Sequence, residues 1–190
     1  KLNTMKTENI SELSAIIRNI GTYQDNCIKI TSENSSVTRR IFNLVKEEYK
    51  VIPKITVRKG YNFNKNYIYI LEIKKDIDII LNDLSINYNS ESNIPNEFLC
   101  SDEEQIRAYL RGLFLSVGSI NDPKKSRYHL EFFVDNKEYA EFIKNLLNEY
   151  YLNSKVIKRE NKYMVYIKEA EKIGDFLRMM NAINALLYFE

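Results

Sequence analysis

The sequence contains few of the residues from which metal, redox and phosphate-binding sites are usually built. Its 190 residues include two cysteines, one histidine and five glycines. Cys27 and Cys100 give neither a disulfide framework nor a metal-ligand spacing, so we interpret both as packed, reduced thiols. His129 stands alone and supports neither a catalytic triad nor a zinc site, so a structural role is the default. Because there is no Walker or GxGxxG motif, a phosphate cradle is disfavoured, and we expect no cofactor and no metal.

Long apolar runs are also missing. No stretch approaches the length of a membrane span and no secretory signal precedes the first helix, so we expect a cytoplasmic protein with no membrane partner. The hydrophobic content of 44% and the charged content of 28% are those of an ordinary globular protein. The net charge of +2 permits a nucleic-acid partner without requiring one. Because the chain starts at Lys1 and an apolar run reaches Glu190, we expect a fragment of a longer protein.

Two helix-like stretches of similar pattern organise the sequence. Residues 108–119 carry apolar side chains at helical spacing, namely Leu110, Leu113, Phe114 and Val117. Gly112 and Ser116 lie one turn apart there, a spacing that lets another helix backbone approach closely. Residues 10–21 repeat the pattern with Leu13, Ile16, Ile17 and Ile20. Gly118 and Gly21 follow the last apolar residue of each stretch and predict the helix ends.

The first half continues with a predictable order of elements. Asp25-Asn26 favours a turn between two short strands, and Ser35 or Ser36 can cap a helix that ends near Tyr49. The remaining predictions for this half are strands over 54–59 and 67–73, a helix over 76–84 and a polar linker over 85–95.

The second half repeats the order of helices and strands predicted for the first half. Ser101 and Glu104 have capping-box spacing before the opening helix, and a turn-rich connection follows that helix. The predictions that follow are a strand over 128–134, a helix over 137–151, strands over 154–159 and 162–168, and a helix from 172.

Position offsets support an internal duplication. Gly21 and Gly118 differ by 97 positions. Across the second helix the offset is 102 and across the next strand it is 101, as in the pairs Ile41/Ile143, Leu44/Leu146, Tyr49/Tyr151, Lys54/Lys155 and Arg58/Arg159. Chance agreement between two amphipathic halves is the alternative, and the shared order of elements favours duplication.

The stretches RAYLRGLFLSVGSINDPKKSRYHLEF and NAINALLYFE resemble the WhiA family of bacterial sporulation and cell-division regulators. The resemblance covers nearly the whole chain and implies the α+β fold of single-chain LAGLIDADG homing endonucleases. That fold is a tandem pseudo-twofold repeat of α-β-β-α-β-β-α units whose antiparallel sheets form a saddle. We expect the first repeat with its linker in 1–95 and the second in 96–190. We expect the family's C-terminal helix-turn-helix domain to lie beyond this sequence, which stops where that domain would begin.

The resemblance also implies what has happened to catalysis. In the nucleases an acidic residue before each closing glycine holds divalent cations for phosphodiester hydrolysis. The matching positions here are Ile20 and Val117, and neither side chain has an oxygen. Arg18 and Leu115 occupy the other position that is often acidic. The resemblance therefore implies a degenerate, non-catalytic domain of a DNA-binding transcriptional regulator that is bacterial and nucleoid-associated.

Two other acidic residues leave an alternative open. Asp25 and Asp122 each follow the closing glycine of their half by four positions. They could support an active metal-dependent endonuclease, although their turn-forming neighbours favour an ordinary turn role. A third hypothesis is a domain that only binds protein.

The predicted strands carry the candidate contacts to double-stranded DNA. Basic residues recur at equivalent places in both halves and in one loop: Lys54, Arg58, Lys59, Lys65, Lys124, Lys125, Arg127, Lys155, Lys158, Arg159 and Lys162. Against this, Glu72, Glu131, Asp135 and Glu160 lie on or beside the same strands and would repel phosphate. A solvated face of mixed charge is an equal alternative, and binding by this domain alone should be weak. The same face could instead contact a protein or the helix-turn-helix domain.

Overall fold

The computed structural model describes residues 2–60, 66–122, 124–125 and 127–182. Lys65 and most of the NAINALLYFE stretch lie outside the described residues. The first unit consists of α1 (Leu2–Ile20), β1 (Gly21–Gln24), β2 (Cys27–Ser32), α2 (Ser35–Tyr49), β3 (Lys54–Lys59), β4 (Tyr67–Ile73) and α3 (Ile77–Asp83). After a 3₁₀ turn over Glu97–Cys100, the second unit consists of α4 (Glu103–Val117), β5 (Gly118–Ile120), β6 (Leu130–Val134), α5 (Lys137–Asn148), β7 (Lys155–Arg159), β8 (Lys162–Ile167) and α6 (Ala170–Met179).

Both units contain a four-stranded sheet of the same topology. The strand orders are β1-β2-β4-β3 and β5-β6-β8-β7, and every pairing is antiparallel. Asn34 caps α2 and Asn136 caps α5 through their side-chain oxygens, at the offset of 102 that the sequence predicts. The α+β class and the repeated α-β-β-α-β-β-α order are therefore confirmed.

Several element boundaries differ from the prediction. α1 begins at Leu2 and not near Ile10, and α6 begins two residues before 172. Strand β5 was not predicted, because its three residues are too few to show an alternating pattern. α5 ends at Asn148, short of residue 151, because Tyr151 adopts a left-handed conformation with φ 58°.

The predicted helix caps are displaced by one or two residues. Asn34 caps α2, and neither Ser35 nor Ser36 does, because the Asn34 side chain accepts from the backbone N–H groups of both Ser36 and Val37. Asp102 caps α4 and accepts a 2.8 Å hydrogen bond from the Gln105 backbone N–H. The predicted capping motif before α4 is therefore present, but it starts at Asp102, one residue after the predicted Ser101.

Two hydrophobic cores lie on either side of the helix pair α1–α4. Ala15 of α1 belongs to the core of the second unit, and Leu115 of α4 packs against the core of the first. Each helix thus contributes a residue to the core of the other unit. Gly112 allows the two helices to approach this closely, because a Cβ at that position would overlap the Glu12 carbonyl oxygen on α1. The close helix approach that the Gly112–Ser116 spacing predicts is confirmed at Gly112. We refer to the α1–α4 contact as the seam.

No helix in the described ranges is long and apolar enough to cross a membrane.

Candidate nucleic-acid interface

The two closing glycines join the seam to the sheets. α1 ends at Ile20 and α4 ends at Val117, and each chain continues directly into a strand at Gly21 or Gly118. A Cβ on either glycine would lie 2.5 Å from an atom of the residue four positions earlier. Gly118 has an extended backbone, with φ −84° and ψ 149°. These glycines are thus required by a lack of space and not by a left-handed conformation.

The side chains at the ends of the seam helices do not fit a divalent cation. Ile20 packs against the first core and Val117 packs against the second. The neighbouring polar side chains on these helices are the neutral Asn19 and Ser116, and Asn19 Nδ2 and Ser116 Oγ each donate to the carbonyl oxygen four positions earlier, at 2.7 and 2.9 Å. Within the described residues, no group of three His, Cys, Asp or Glu side chains could hold a metal ion. At the positions that match the nuclease acids, the side chains of Ile20 and Val117 carry no oxygen that could bind a metal ion.

Asp25 and Asp122 serve turns. Asp25 and Asn26 have φ values of 52° and 54°, the pair of left-handed residues that a tight hairpin between β1 and β2 requires. Asp122 Oδ1 accepts a 3.0 Å hydrogen bond from the Lys124 backbone N–H, and Oδ2 lies 3.7 Å from Lys125 Nζ. These contacts match the turn interpretation of both acids.

Arg18 has taken up a structural position. Its guanidinium is buried and donates to the carbonyl oxygens of Leu84, Ser85 and Asn93 at 3.0, 2.7 and 3.1 Å. The cation thereby binds carbonyl groups at the end of α3 and holds the linker against α1. Where the nuclease motif often has an acid, this chain has a cation that holds the linker against its first unit.

A buried acid lies in the seam itself. Glu12 on α1 is fully buried, and it accepts hydrogen bonds from Arg40 on α2 and Arg111 on α4. The Arg40 Nη2 to Oε2 distance is 2.7 Å and the Arg111 Nε to Oε2 distance is 3.1 Å. The hydrogen bond to Glu12 raises the pKa of Arg40. One carboxylate therefore binds arginines from both units.

A second polar contact crosses the seam beside Asn19. The Asn19 Nδ2 atom donates to the Tyr139 hydroxyl at 3.0 Å, and that hydroxyl lies 2.7 Å from the Tyr109 hydroxyl. Burial raises the pKa of both phenols, so both stay protonated at physiological pH. Sequence reasoning assigned no role to these residues, because nothing in their spacing connects α1 with α5.

The faces of the sheets follow from strand alternation and register. Ile28, Ile30, Leu71 and Ile73 are buried and define the core face of the first sheet, and Leu130, Phe132, Val165 and Ile167 define that of the second. We call the opposite surface of each sheet its open face. Lys54 and Arg58 lie on the open face of the first sheet, and Lys155 and Arg159 occupy the same positions on the second.

Strand alternation separates Lys59 and Lys158 from this surface and places Lys162 on it. Lys59 and Lys158 alternate onto the core side of their strands, opposite Tyr67 and Tyr163, because each is one residue out of phase with the open face. Lys162 lies on the open face opposite Arg159, and its Nζ is 3.4 Å from Asp135. The predicted positive face therefore loses two of its strand lysines.

The loop cations lie off the strands. Lys124, Lys125 and Arg127 belong to the connection between β5 and β6, where Lys125 pairs with Asp122. Lys65 belongs to the connection between β3 and β4, outside the described residues.

The open faces differ at one central position. Lys29 on β2 lies opposite Glu72, which lies opposite Lys54 on its other side. Glu131 on β6 is the equivalent of Lys29 at the offset of 102. Lys29 was not among the predicted contacts, although the alternation of buried and exposed residues in β2 could have identified it.

Glu131 is held by its neighbours on the second open face. Its two carboxylate oxygens contact Ser119 Oγ at 3.1 Å and His129 Nε2 at 2.6 Å. The His129 ring stacks on Tyr166, with the two ring centroids 5.9 Å apart. The single histidine thus belongs to a polar cluster on the second sheet. Each open face carries three strand cations and one acid, namely Lys29, Lys54, Arg58 and Glu72 on the first and Lys155, Arg159, Lys162 and Glu131 on the second.

Comparison with known proteins places these observations in a family. The model of the WhiA N-terminal LAGLIDADG-like domain matches residues 6–87, and that of the WhiA LAGLIDADG-like domain matches residues 106–190. The chain is 44% identical over 168 residues to the probable cell division protein WhiA of Lactobacillus gasseri, covering 86% of this chain and 53% of that protein. It is 42% identical over 199 residues to the protein of the same name from Clostridium botulinum, covering 97% and 62%.

Solved structures show the same fold. The N-terminal LAGLIDADG domain of DUF199/WhiA is similar with a TM-score of 0.72 and 27% identity, covering 92% of this chain and 81% of that one. The homing endonuclease I-DmoI in complex with DNA and Mn is similar in fold with a TM-score of 0.62 and 18% identity, covering 92% and 97%. The chain spans little more than half the length of its curated relatives. Both halves of the chain match domain models of one family, and the chain belongs to the WhiA family.

Proposed function

We propose that this chain is the LAGLIDADG-like part of a WhiA-type regulator that associates with duplex DNA and does not hydrolyse it. The observation that carries the proposal is the combination of apolar helix ends with cations repeated on both open faces. Ile20 and Val117 offer no metal ligand, whereas Lys54 and Lys155 are equivalent exposed cations on the two sheets. A domain of this kind can hold DNA phosphates without activating a water molecule.

The relatives and the fold neighbours support the cellular setting. The relatives are named probable cell division protein WhiA, and one fold neighbour is the endonuclease I-DmoI bound to DNA and Mn. We assign the chain to transcriptional regulation of cell division or sporulation at the bacterial nucleoid. In this proposal residues 1–95 and 96–190 form the two repeats, and a helix-turn-helix domain elsewhere in the full-length protein reads the DNA sequence.

The charge distribution makes this contact weak. Glu72 lies between two lysines on the first open face, and Glu131 replaces a lysine on the second. Each phosphate contact contributes a salt-dependent increment, and acids on the same surface oppose it. The domain therefore helps to position the protein on DNA and does not by itself select a sequence.

A cleavage assay tests the absence of hydrolysis. Supercoiled plasmid is incubated with the purified 190-residue chain in 10-fold molar excess, with Mg²⁺ or Mn²⁺ and with an active endonuclease as positive control. We expect the plasmid to stay supercoiled with either metal. Nicking that requires metal and disappears in an Asp25→Asn/Asp122→Asn variant would instead support the active-endonuclease alternative.

The protein-binding alternative rests on one specific observation, the reversal of charge between Lys29 and Glu131. A surface that only binds protein should show no affinity for duplex DNA even at low salt. A fluorescence-anisotropy titration of this chain with a labelled duplex at 20 mM and 200 mM salt distinguishes the two functions.

A further inference from the structure

Strand β3 is unusually exposed for part of a folded sheet. It lies at the edge of the first sheet, and within the described ranges it pairs only with β4. Five of its six residues are exposed, including apolar ones on its core side. Ile52, just before the strand, is 72% exposed and Val57 within it is 52% exposed. Ile55 and Tyr67 on the same side are also exposed. We call these four residues the β3 strip.

The second unit provides an internal control for this surface. At the offset of 101, the buried residues Val51 and Leu152 correspond, which fixes the alignment of the two segments. The exposed Ile52 then corresponds to Asn153, and Val57 corresponds to Lys158. At these two positions the duplicated unit has polar side chains where the first unit exposes apolar ones, whereas Ile55 corresponds to the apolar Val156. The second unit folds with polar side chains at these two positions, and neighbouring exposed apolar residues such as those of the β3 strip are typical of an interaction site.

The side chains around the β3 strip are mostly basic, and this charge favours an acidic partner. Cations surround it on α2, on the following segment and on β3 itself: Lys46, Lys50, Lys54, Arg58 and Lys59. The acids nearest to them are Glu47 and Glu48 on α2 and Glu72 on β4, opposite Lys54. Pairing of β3 with β3 of a second copy would bring cations against cations, which is unfavourable across a strand pair. A strand with acidic side chains would meet no such repulsion.

We propose that β3 is a docking edge for an extended segment of a partner protein in which apolar and acidic side chains alternate. The segment adds a fifth strand beside β3 through backbone hydrogen bonds. Its apolar side chains cover the β3 strip on the core side, and its acidic side chains face Lys54 and Arg58 on the open face. The β3 strip lies on the opposite side of the strand from the proposed DNA contacts, whereas the acidic side chains would meet Lys54 and Arg58, which the proposed DNA association also uses. The peptide experiment below contains no DNA, so its outcome is separate from that of the DNA-binding assay.

A synthetic peptide tests the docking edge directly. An eight-residue peptide alternating valine and glutamate, labelled with fluorescein, is titrated with the 190-residue chain by anisotropy. We expect saturable binding and hydrogen-exchange protection confined to β3. A Val57→Lys variant, which introduces the residue of the second unit, should weaken binding about tenfold by removing one apolar contact. Because Val57 is exposed, the variant should melt at the same temperature as the parent chain.

Two controls separate strand addition from simple charge attraction. A Lys158→Ala variant on β7 should bind the peptide within about twofold of the parent chain, since it leaves β3 unchanged. The same peptide with N-methyl groups on alternate residues keeps its charge but cannot pair on one edge, so it should lose binding. Equal binding of the methylated peptide, or of the Val57→Lys variant, would overturn the proposal, as would protection on strands other than β3. Self-association of the chain that Val57→Lys abolishes would also overturn it, in favour of a second copy.

Discussion

Glu12 on α1 accepts a 3.1 Å hydrogen bond from Arg111 on α4, and this contact joins the two repeats inside the seam. Arg40 binds the same carboxylate from α2. A buried carboxylate is tolerated only when it is paired and hydrogen-bonded, and here both conditions are met. The seam is therefore held by a shared charge as well as by close helix packing.

Replacing Glu12 with glutamine should destabilise the chain by about 2 kcal/mol. Removing one partner of a fully buried ion pair costs about 3–5 kcal/mol, and the cost is lower here because both arginines reach solvent. Urea unfolding followed by circular dichroism measures the change. A Glu91→Gln variant in the exposed linker is the matched control and should differ from the parent by less than about 0.5 kcal/mol. Equal stability of the two variants would show that the hydrogen bonds of Glu12 to Arg40 and Arg111 do not stabilise the chain.

Gly112→Ala should also destabilise the chain, although alanine is the better helix former by about 1 kcal/mol. The added methyl group would overlap the Glu12 carbonyl oxygen and crowd Ala15. Overpacking of this kind costs about 1–3 kcal/mol, so we expect a net loss. Chemical denaturation gives the sign directly. A Ser116→Ala variant on the same helix loses only hydrogen bonds to its own turn and should be close to neutral. A stabilised Gly112→Ala variant would mean that the helices lie further apart.

Cys100 should react slowly with alkylating agents. Burial raises the pKa of its thiol to about 12, and the thiolate is the reactive form. In a Cys27→Ser variant, the iodoacetamide rate should therefore keep rising about tenfold per pH unit through pH 10. The rate of a short cysteine peptide should level off above its ordinary pKa of about 8.5. A plateau for Cys100 below pH 9 would contradict the burial of this thiol.

The sequence predicts the architecture because helix stripes, turn residues and repeat offsets are local properties of the chain. Gly112 is one example, since the spacing of small residues on one helix already indicates a close partner helix. The role of Glu12 could not be predicted in the same way, because Arg40 and Arg111 lie 28 and 99 positions away. Arg18 is similar, because its carbonyl partners lie 66, 67 and 75 positions along the chain. For Lys59 and Lys158 the strand alternation is visible in the sequence, whereas a count of basic residues does not distinguish the two faces of a sheet.

DNA association through the open faces is best tested by the salt dependence of duplex binding. The measurement is the slope of log affinity against log salt for the parent chain, for Lys54→Gln/Lys155→Gln and for the matched pair Lys59→Gln/Lys158→Gln. Each phosphate contact adds about 0.9 to the magnitude of this slope, so the first variant should be shallower by about 1.8. The second variant removes two lysines of the same strands from the core side and should keep the parent slope. DNA association through the open faces would be contradicted if the two double variants had the same salt slope. It would also be contradicted if the parent chain did not bind duplex DNA at low salt.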